Sequence, residues 1–118
     1  MSHQKKAVFL DRDGVINKDL GYVYKIVDFE FLPKVKEAIR LFFESGYLVI
    51  VVTNQSGIAR GYYTEEDFYL ITDYIDREVQ KAGACITDTF FCPHLPEGTI
   101  ANYSIVCNCR KPLPGMII

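Results

Sequence analysis

Ala7-Val8-Phe9-Leu10-Asp11-Arg12-Asp13-Gly14 is the stretch that decides the fold. Four apolar residues in an unbroken run, stopped by charge and a turn-forming glycine, predict a buried parallel strand that feeds a loop. A second run, Leu48-Val49-Ile50-Val51-Val52, is almost entirely β-branched and predicts a central strand covered on both faces. Between them, from Pro33, apolar residues fall at Val35, Ala38, Ile39 and Phe42, a helical stripe opened by a first-turn proline and closed at Gly46. After the second run, Thr64 and Asp67 resemble a capping box, and Phe68, Ile71, Ile75, Val79 and Ala82 keep a helical period as far as Gly83. A third strand is expected over Thr87-Asp88-Thr89-Phe90-Phe91, running into Cys92. Strands alternating with helices predict an α/β fold with a parallel sheet and right-handed crossovers.

With 118 residues, 49% hydrophobic and 24% charged, the composition is that of one ordinary domain with a real core, and no linker, repeat or low-complexity segment divides residues 1–118. The formal net charge of -2 comes without like-charge blocks, which argues against nucleic acid or a membrane surface as partner. No apolar run is long enough to cross a bilayer, and the N-terminus has no cleavable signal pattern, so a cytoplasmic location is expected. Thiols stay reduced in that compartment. Three of the four cysteines, Cys92, Cys107 and Cys109, therefore read better as metal ligands than as disulfide partners, and Cys85 reads as a small buried hydrophobe.

In an open parallel sheet, ligands bind outside the carboxyl ends of the strands, which is where Asp11 and Asp13 are expected. A carboxylate can attack phosphorus to give an aspartyl-phosphate, and a neighbouring carboxyl group can protonate the leaving alcohol and later activate water. Magnesium would offset the repulsion between these carboxylates and a phosphate. Asp-x-Asp-Gly alone is a common polar turn. The second strand, however, ends in Thr53-Asn54-Gln55-Ser56-Gly57, whose hydroxyls, amides and backbone N–H groups suit phosphoryl oxygens. Arg110-Lys111 adds fixed positive charge for the transferring group. Cys92 and His94, with Cys107 and Cys109, offer three thiolates and one imidazole, a closed tetrahedral set that predicts a structural zinc site in a loop spanning residues 92–109. Sulfur-rich tetrahedral sites also accept iron. Because Cys109 precedes Arg110, the clamp is expected to hold the cationic pair over the phosphate site.

Asp11-Arg12-Asp13-Gly14-Val15-Ile16-Asn17, Thr53 to Gly61, Cys92-Pro93-His94 and Cys107-Asn108-Cys109-Arg110-Lys111-Pro112 together closely resemble the heptose-bisphosphate phosphatases of the haloacid dehalogenase (HAD) superfamily, over nearly the whole chain. They are also similar to the phosphatase domain of histidinol-phosphate phosphatase. Ser56 to Gly61 and Asp19-Leu20-Gly21-Tyr22-Val23 favour the heptose branch. The resemblance implies a HAD-like, Rossmannoid three-layer α/β fold with a parallel sheet, its C-terminal part missing here, plus a zinc-binding loop. It implies a magnesium-dependent phosphatase that removes the C7 phosphate of D-glycero-D-manno-heptose 1,7-bisphosphate. Asp11 would be the nucleophile, Asp13 the general acid and base, and Thr53 and Lys111 the groups that stabilise the phosphoryl group. A side-chain oxygen of Asp11 and a backbone oxygen of Asp13 would hold magnesium. Contacts to a small phosphosugar would come from Asp19, Leu20, Gly21 and Tyr22, from Asn54, Gln55 and Ser56, and from Arg110.

The family continues beyond Lys-Pro with a helix, a strand and a fourth, acidic motif. A chain that stops at Ile118 is expected to leave its first strand at an edge, open to pairing with another chain, whereas the complete protein is expected to be monomeric. Two alternatives stay open: a histidinol-phosphate phosphatase, and a catalytically inactive zinc-stabilised fragment.

Overall fold

Three parallel strands carry the molecule, with β1 (Ala7–Leu10) beside β2 (Leu48–Asn54) and β2 beside β3 (Asp88–Cys92). This computed structural model describes residues 6–104, 107, 109 and 111; Arg110, expected at the substrate, lies outside the described residues. The register sets Leu10 opposite Val51 and Val51 opposite Thr89, so β2 and β3 run on together to Asn54 and Cys92, three residues past the end of β1. The crossovers are α1 (Val35–Glu44) and α2 (Glu65–Lys81). Both step the same way across the sheet, and right-handed crossovers then place both helices on one face. Val49 and Val51 of β2, Ile39 of α1, and Ile71, Ile75 and Val79 of α2 are buried in one cluster on that face. Each such side chain contributes about 1.5–3 kcal/mol by leaving water, so this seam fixes the direction in which the strands deliver their ends.

Local chemistry sets the element ends. Thr64 Oγ1 accepts from Asp67 N at 3.1 Å and Asp67 Oδ2 accepts from Thr64 N at 2.9 Å, which completes the expected capping box on α2. The third strand begins one residue later than expected. Thr87 donates its N–H to Val49 O at 2.7 Å, but its hydroxyl, not its carbonyl, accepts from Val49 N at 3.2 Å.

Three expectations are corrected. Pro33 does not open α1: it occupies the second position of a turn closed by Val35 N–H to Leu32 O at 3.3 Å, and Lys34, at φ 66, caps the helix in the left-handed region. Proline at the second position and positive φ at the third are the demands of a type II turn, which outcompetes the first-turn role. Ala38 faces solvent, so the buried stripe of α1 is narrower than its pattern. β1 is not buried on both faces: Val8 and Leu10 pack against the core, while Phe9 on the opposite face is 46% exposed. As expected, β1 lies at an edge of the described sheet, and β2 is its covered centre. No described helix is long and apolar enough to cross a membrane.

Candidate active site and metal cluster

Asp11 is the first residue past β1, and the chain turns sharply after it. Arg12 O accepts the N–H groups of Val15, Ile16 and Asn17, and Gly14, at φ 86, takes the left-handed conformation that closes the turn. The turn buries Arg12 to 2% exposure and aims its guanidinium back at Asp13. Asp13 Oδ1 accepts from Arg12 Nη2 at 3.0 Å, Arg12 Nε at 3.2 Å and Asn17 Nδ2 at 3.0 Å. Arg12 Nη2 also donates to Val23 O at 2.7 Å, and Phe68 lies beneath the guanidinium at 5.9 Å. A buried cation is tolerable only when paired in this way.

The end of β2 supplies the other wall. Asn54 forms two bonds to the backbone of a residue far along the chain: Lys111 N–H donates to Asn54 Oδ1 at 2.8 Å, and Asn54 Nδ2 donates to Lys111 O at 3.3 Å. Held there, the Lys111 ammonium donates to Val52 O at 3.1 Å and pairs with Asp11 Oδ2 at 2.7 Å. Gln55 Nε2 donates to Thr53 Oγ1 at 2.9 Å and to Asp13 Oδ2 at 3.3 Å. Two strand ends are thereby tied into one polar surface.

These groups line an open cleft of about 280 Å³. Asp11, Asp13, Asp19, Gly21, Tyr22, Thr53, Asn54, Gln55, Ser56 and Lys111 all face it. Leu20, expected among the substrate contacts, does not: it is 58% exposed and turned outward. Asp19 Oδ1 accepts Gly21 N–H at 3.0 Å, and Gly21 and Tyr22 both have positive φ, so this tight turn brings Asp19 and Tyr22 inward and throws Leu20 out.

Sequence reasoning missed Arg12, Asn17 and Tyr63 as parts of the site. Tyr63 lines the cleft and its hydroxyl bonds Gln55 Oε1. A signal existed in Gly57: a Cβ there would fall 2.9 Å from Tyr63 Cζ and 3.0 Å from Tyr22 Cδ1, so glycine is what admits both rings.

At the end of β3, Cys92, His94, Cys107 and Cys109 converge with all four ligand atoms within 4.8 Å of one another. Cys92 Sγ is 3.4 Å from Cys107 Sγ, Cys109 Sγ is 3.3 Å from Cys107 Sγ and from His94 Nδ1, and Cys92 Sγ is 3.9 Å from His94 Nδ1. A tetrahedron with Zn–S bonds of about 2.3 Å has edges of about 3.8 Å, so the set fits such an ion. Burial pushes the Cys92 thiol above its ordinary range, a cost that a bound cation reverses by favouring the thiolate. Cys85 stands apart from the cluster, half-buried instead of buried. Cys92 O accepts Gln55 N–H at 2.8 Å, which joins the cluster directly to the cleft wall. The loop between the ligand pairs is docked too, with Thr99 and Ile100 N–H both on Ala59 O, at 2.8 and 2.9 Å.

No family model matches the sequence. Along 99% of its length the chain is 48% identical to D-glycero-alpha-D-manno-heptose-1,7-bisphosphate 7-phosphatase of Photorhabdus laumondii, and it spans 64% of that relative. Among solved structures, D,D-heptose 1,7-bisphosphate phosphatase from B. bronchiseptica, complexed with magnesium and phosphate, superposes with a TM-score of 0.82 at 38% identity over 94% of this chain and 59% of its own. A HAD-like phosphatase from Mesorhizobium loti matches with a TM-score of 0.87 at 34% identity, over 95% of this chain and 54% of its own. Along nearly its whole length the chain is thus similar in sequence and fold to HAD-like and heptose-bisphosphate phosphatases, while it spans less than two thirds of the length of each of these relatives.

Proposed function

We propose that the protein is a magnesium-dependent phosphomonoesterase that removes the C7 phosphate of D-glycero-D-manno-heptose 1,7-bisphosphate. The observation that carries this is the Lys111 ammonium, 2.7 Å from the Asp11 carboxylate in a cleft that Asp13 and Thr53 also line. The relatives named above, of which the chain spans less than two thirds, favour a heptose bisphosphate over histidinol phosphate. A net charge of -2 without basic blocks suits a small phosphosugar better than nucleic acid or a membrane surface. A cytoplasmic location would keep the three metal-facing thiols reduced. On this reading residues 1–118 act as one domain, with loop 92–109 as its metal clamp.

Asp11 attacks phosphorus as the nucleophile; the P–O bond to the sugar breaks, and Asp13 gives its proton to the departing alkoxide. Asp13 then takes a proton from the water that attacks the aspartyl-phosphate, which frees inorganic phosphate and restores Asp11. Thr53 and Lys111 meet the phosphoryl oxygens as charge builds on them. A side-chain oxygen of Asp11 and the backbone oxygen of Asp13 are hard donors suited to magnesium, which when bound offsets the repulsion between carboxylates and phosphate. The test is phosphate release from heptose 1,7-bisphosphate and from histidinol phosphate, side by side, with and without magnesium. Faster turnover of the heptose ester, abolished by Asp11→Asn, is expected; turnover indifferent to Asp11→Asn overturns the assignment.

A further inference from the structure

Tyr63 faces the cleft, yet the chemistry above gives it no task. Its ring is 6% exposed, and Tyr24 stacks against it with centroids 5.2 Å apart. The hydroxyl reaches Gln55 Oε1. Gln55 is itself 2% exposed, so the orientation of its amide is decided by the partners around it. The Arg12 guanidinium donates to both oxygens of Asp13, at 3.0 and 3.2 Å, so Asp13 is the acceptor in this network and the amide face toward its Oδ2 is the NH2 group. That leaves Oε1 for Tyr63, whose phenol must donate. Burial supports this polarity, because it raises the phenol pKa and keeps the O–H intact.

The same amide donates to Thr53 Oγ1 at 2.9 Å. A hydroxyl oxygen that already accepts directs its own proton elsewhere, and among the described residues that proton has only a long contact, 3.4 Å, to Asn54 O. A phosphoryl oxygen in the cleft is a better acceptor. The order of donation therefore runs one way, from Tyr63 to Gln55 to Thr53 and on to the cleft.

We infer that Tyr63 is a positioning residue: acting through Gln55, it sets the direction of a hydrogen-bond chain that leaves the Thr53 hydroxyl donating to the transferring phosphoryl group. The inference rests on the phosphatase reading for its role in turnover, but the bond order itself can be read without turnover. Removing the phenol leaves the buried Gln55 Oε1 without its donor, so the amide loses one of the bonds that hold it and shifts away from Thr53 Oγ1, which no longer has its proton directed at the substrate.

The experiment compares Tyr63→Phe, Gln55→Ala and the double variant for kcat and KM on heptose 1,7-bisphosphate with magnesium, and follows the Gln55 side-chain amide by NMR. Phe keeps the ring that Gly57 accommodates, so the variant folds with its packing intact. Tyr63→Phe is expected to lower kcat about tenfold, the worth of one hydrogen bond of about 1.4 kcal/mol, with KM unchanged. Added to Gln55→Ala it should cost nothing further, because the route through Gln55 is already gone. The Gln55 NH2 should show contacts to Thr53 that disappear in Tyr63→Phe. Additive losses, or a Gln55 amide unmoved by Tyr63→Phe, overturn the inference. An unaltered protein without turnover overturns the phosphatase reading instead, and the amide signal then decides the bond order alone.

Discussion

The Lys111 ammonium and the Asp11 carboxylate form an ion pair at 2.7 Å, although they stand 100 positions apart in the sequence and neither side chain is buried, at 28% and 43% exposure. Such a pair is worth about 0–1 kcal/mol to folding, so its placement points to chemistry. Asn54 holds the Lys111 backbone from both sides, which leaves the ammonium little freedom. Lys111→Met is therefore expected to leave the unfolding free energy within about 1 kcal/mol of the parent while lowering kcat by about 10²–10³-fold. Lys111→Arg should recover only part of the rate, because a planar fork cannot occupy the space of a compact ammonium. Chemical denaturation and steady-state kinetics on the same preparations separate the two effects.

Metal removal makes a second test. Lys111 lies two residues past Cys109, and Gln55 N–H is bonded to Cys92 O, so the Cys/His cluster touches the cleft from two directions. The protein is expected to purify with about one equivalent of zinc. Stripping it with a strong chelator should abolish most turnover and expose loop 92–109 to proteolysis, and zinc, unlike magnesium, should restore both. Elemental analysis with limited proteolysis reads the outcome, and a chelated protein that keeps its rate and its protease resistance refutes the link.

The first two strands were legible because two features do not depend on context: unbroken apolar runs of strand length, and Asp or Thr at the points where they stop. The metal ligands were legible from spacing, since Cys-x-His and Cys-x-Cys need only a loop to meet. What could not be read was anything decided between distant residues. Pro33 suits a helix start and a type II turn equally, and the neighbouring strand-like ribbon, with Leu32 N–H on Ile16 O at 2.9 Å, selected the turn. Leu20 shares its tetrapeptide with three cleft residues, but the positive φ of Gly21 and Tyr22 points it the other way. Tyr63 looks like any loop aromatic until Gly57 is seen beneath it.

Gly57 supplies the third prediction. Its Cα sits where a methyl group would overlap the Tyr63 ring and crowd Tyr22 Cδ1 at 3.0 Å, and the Tyr63 ring, buried and stacked on Tyr24, has no room to retreat. Gly57→Ala is expected to cost about 1–3 kcal/mol of stability through overpacking, and to lower kcat as well, by pulling the Tyr63 hydroxyl from Gln55. Gly46→Ala is the control: nothing lies within 4 Å of its Cβ position, and it is far from the cleft, so strain at its φ of 86 should lower stability without changing kcat. Equal kinetic losses in both variants would show that the rate merely follows stability.

Asp76 on α2 gives a prediction with a definite sign in pH. Burial, and then the like charges of Asp73 and Asp88, hold its carboxyl above the ordinary range, and Asp76 Oδ1 is buried without a hydrogen-bond partner among the described residues. An acid whose pKa is higher in the folded protein than in the unfolded chain binds its proton more tightly when folded. Stability is then free of penalty below the ordinary carboxylate pKa of about 3.9 and falls as pH rises from there through the raised folded value. Asp76→Asn removes the ionisation and should stabilise the protein at pH 7, by a few tenths to about 1 kcal/mol since the group is partly exposed. At pH 3, where both folded and unfolded carboxyls carry protons, variant and parent should melt together. Thermal melts at the two pH values decide it: a gain that is the same at pH 3 and pH 7 would place its origin in packing instead of charge.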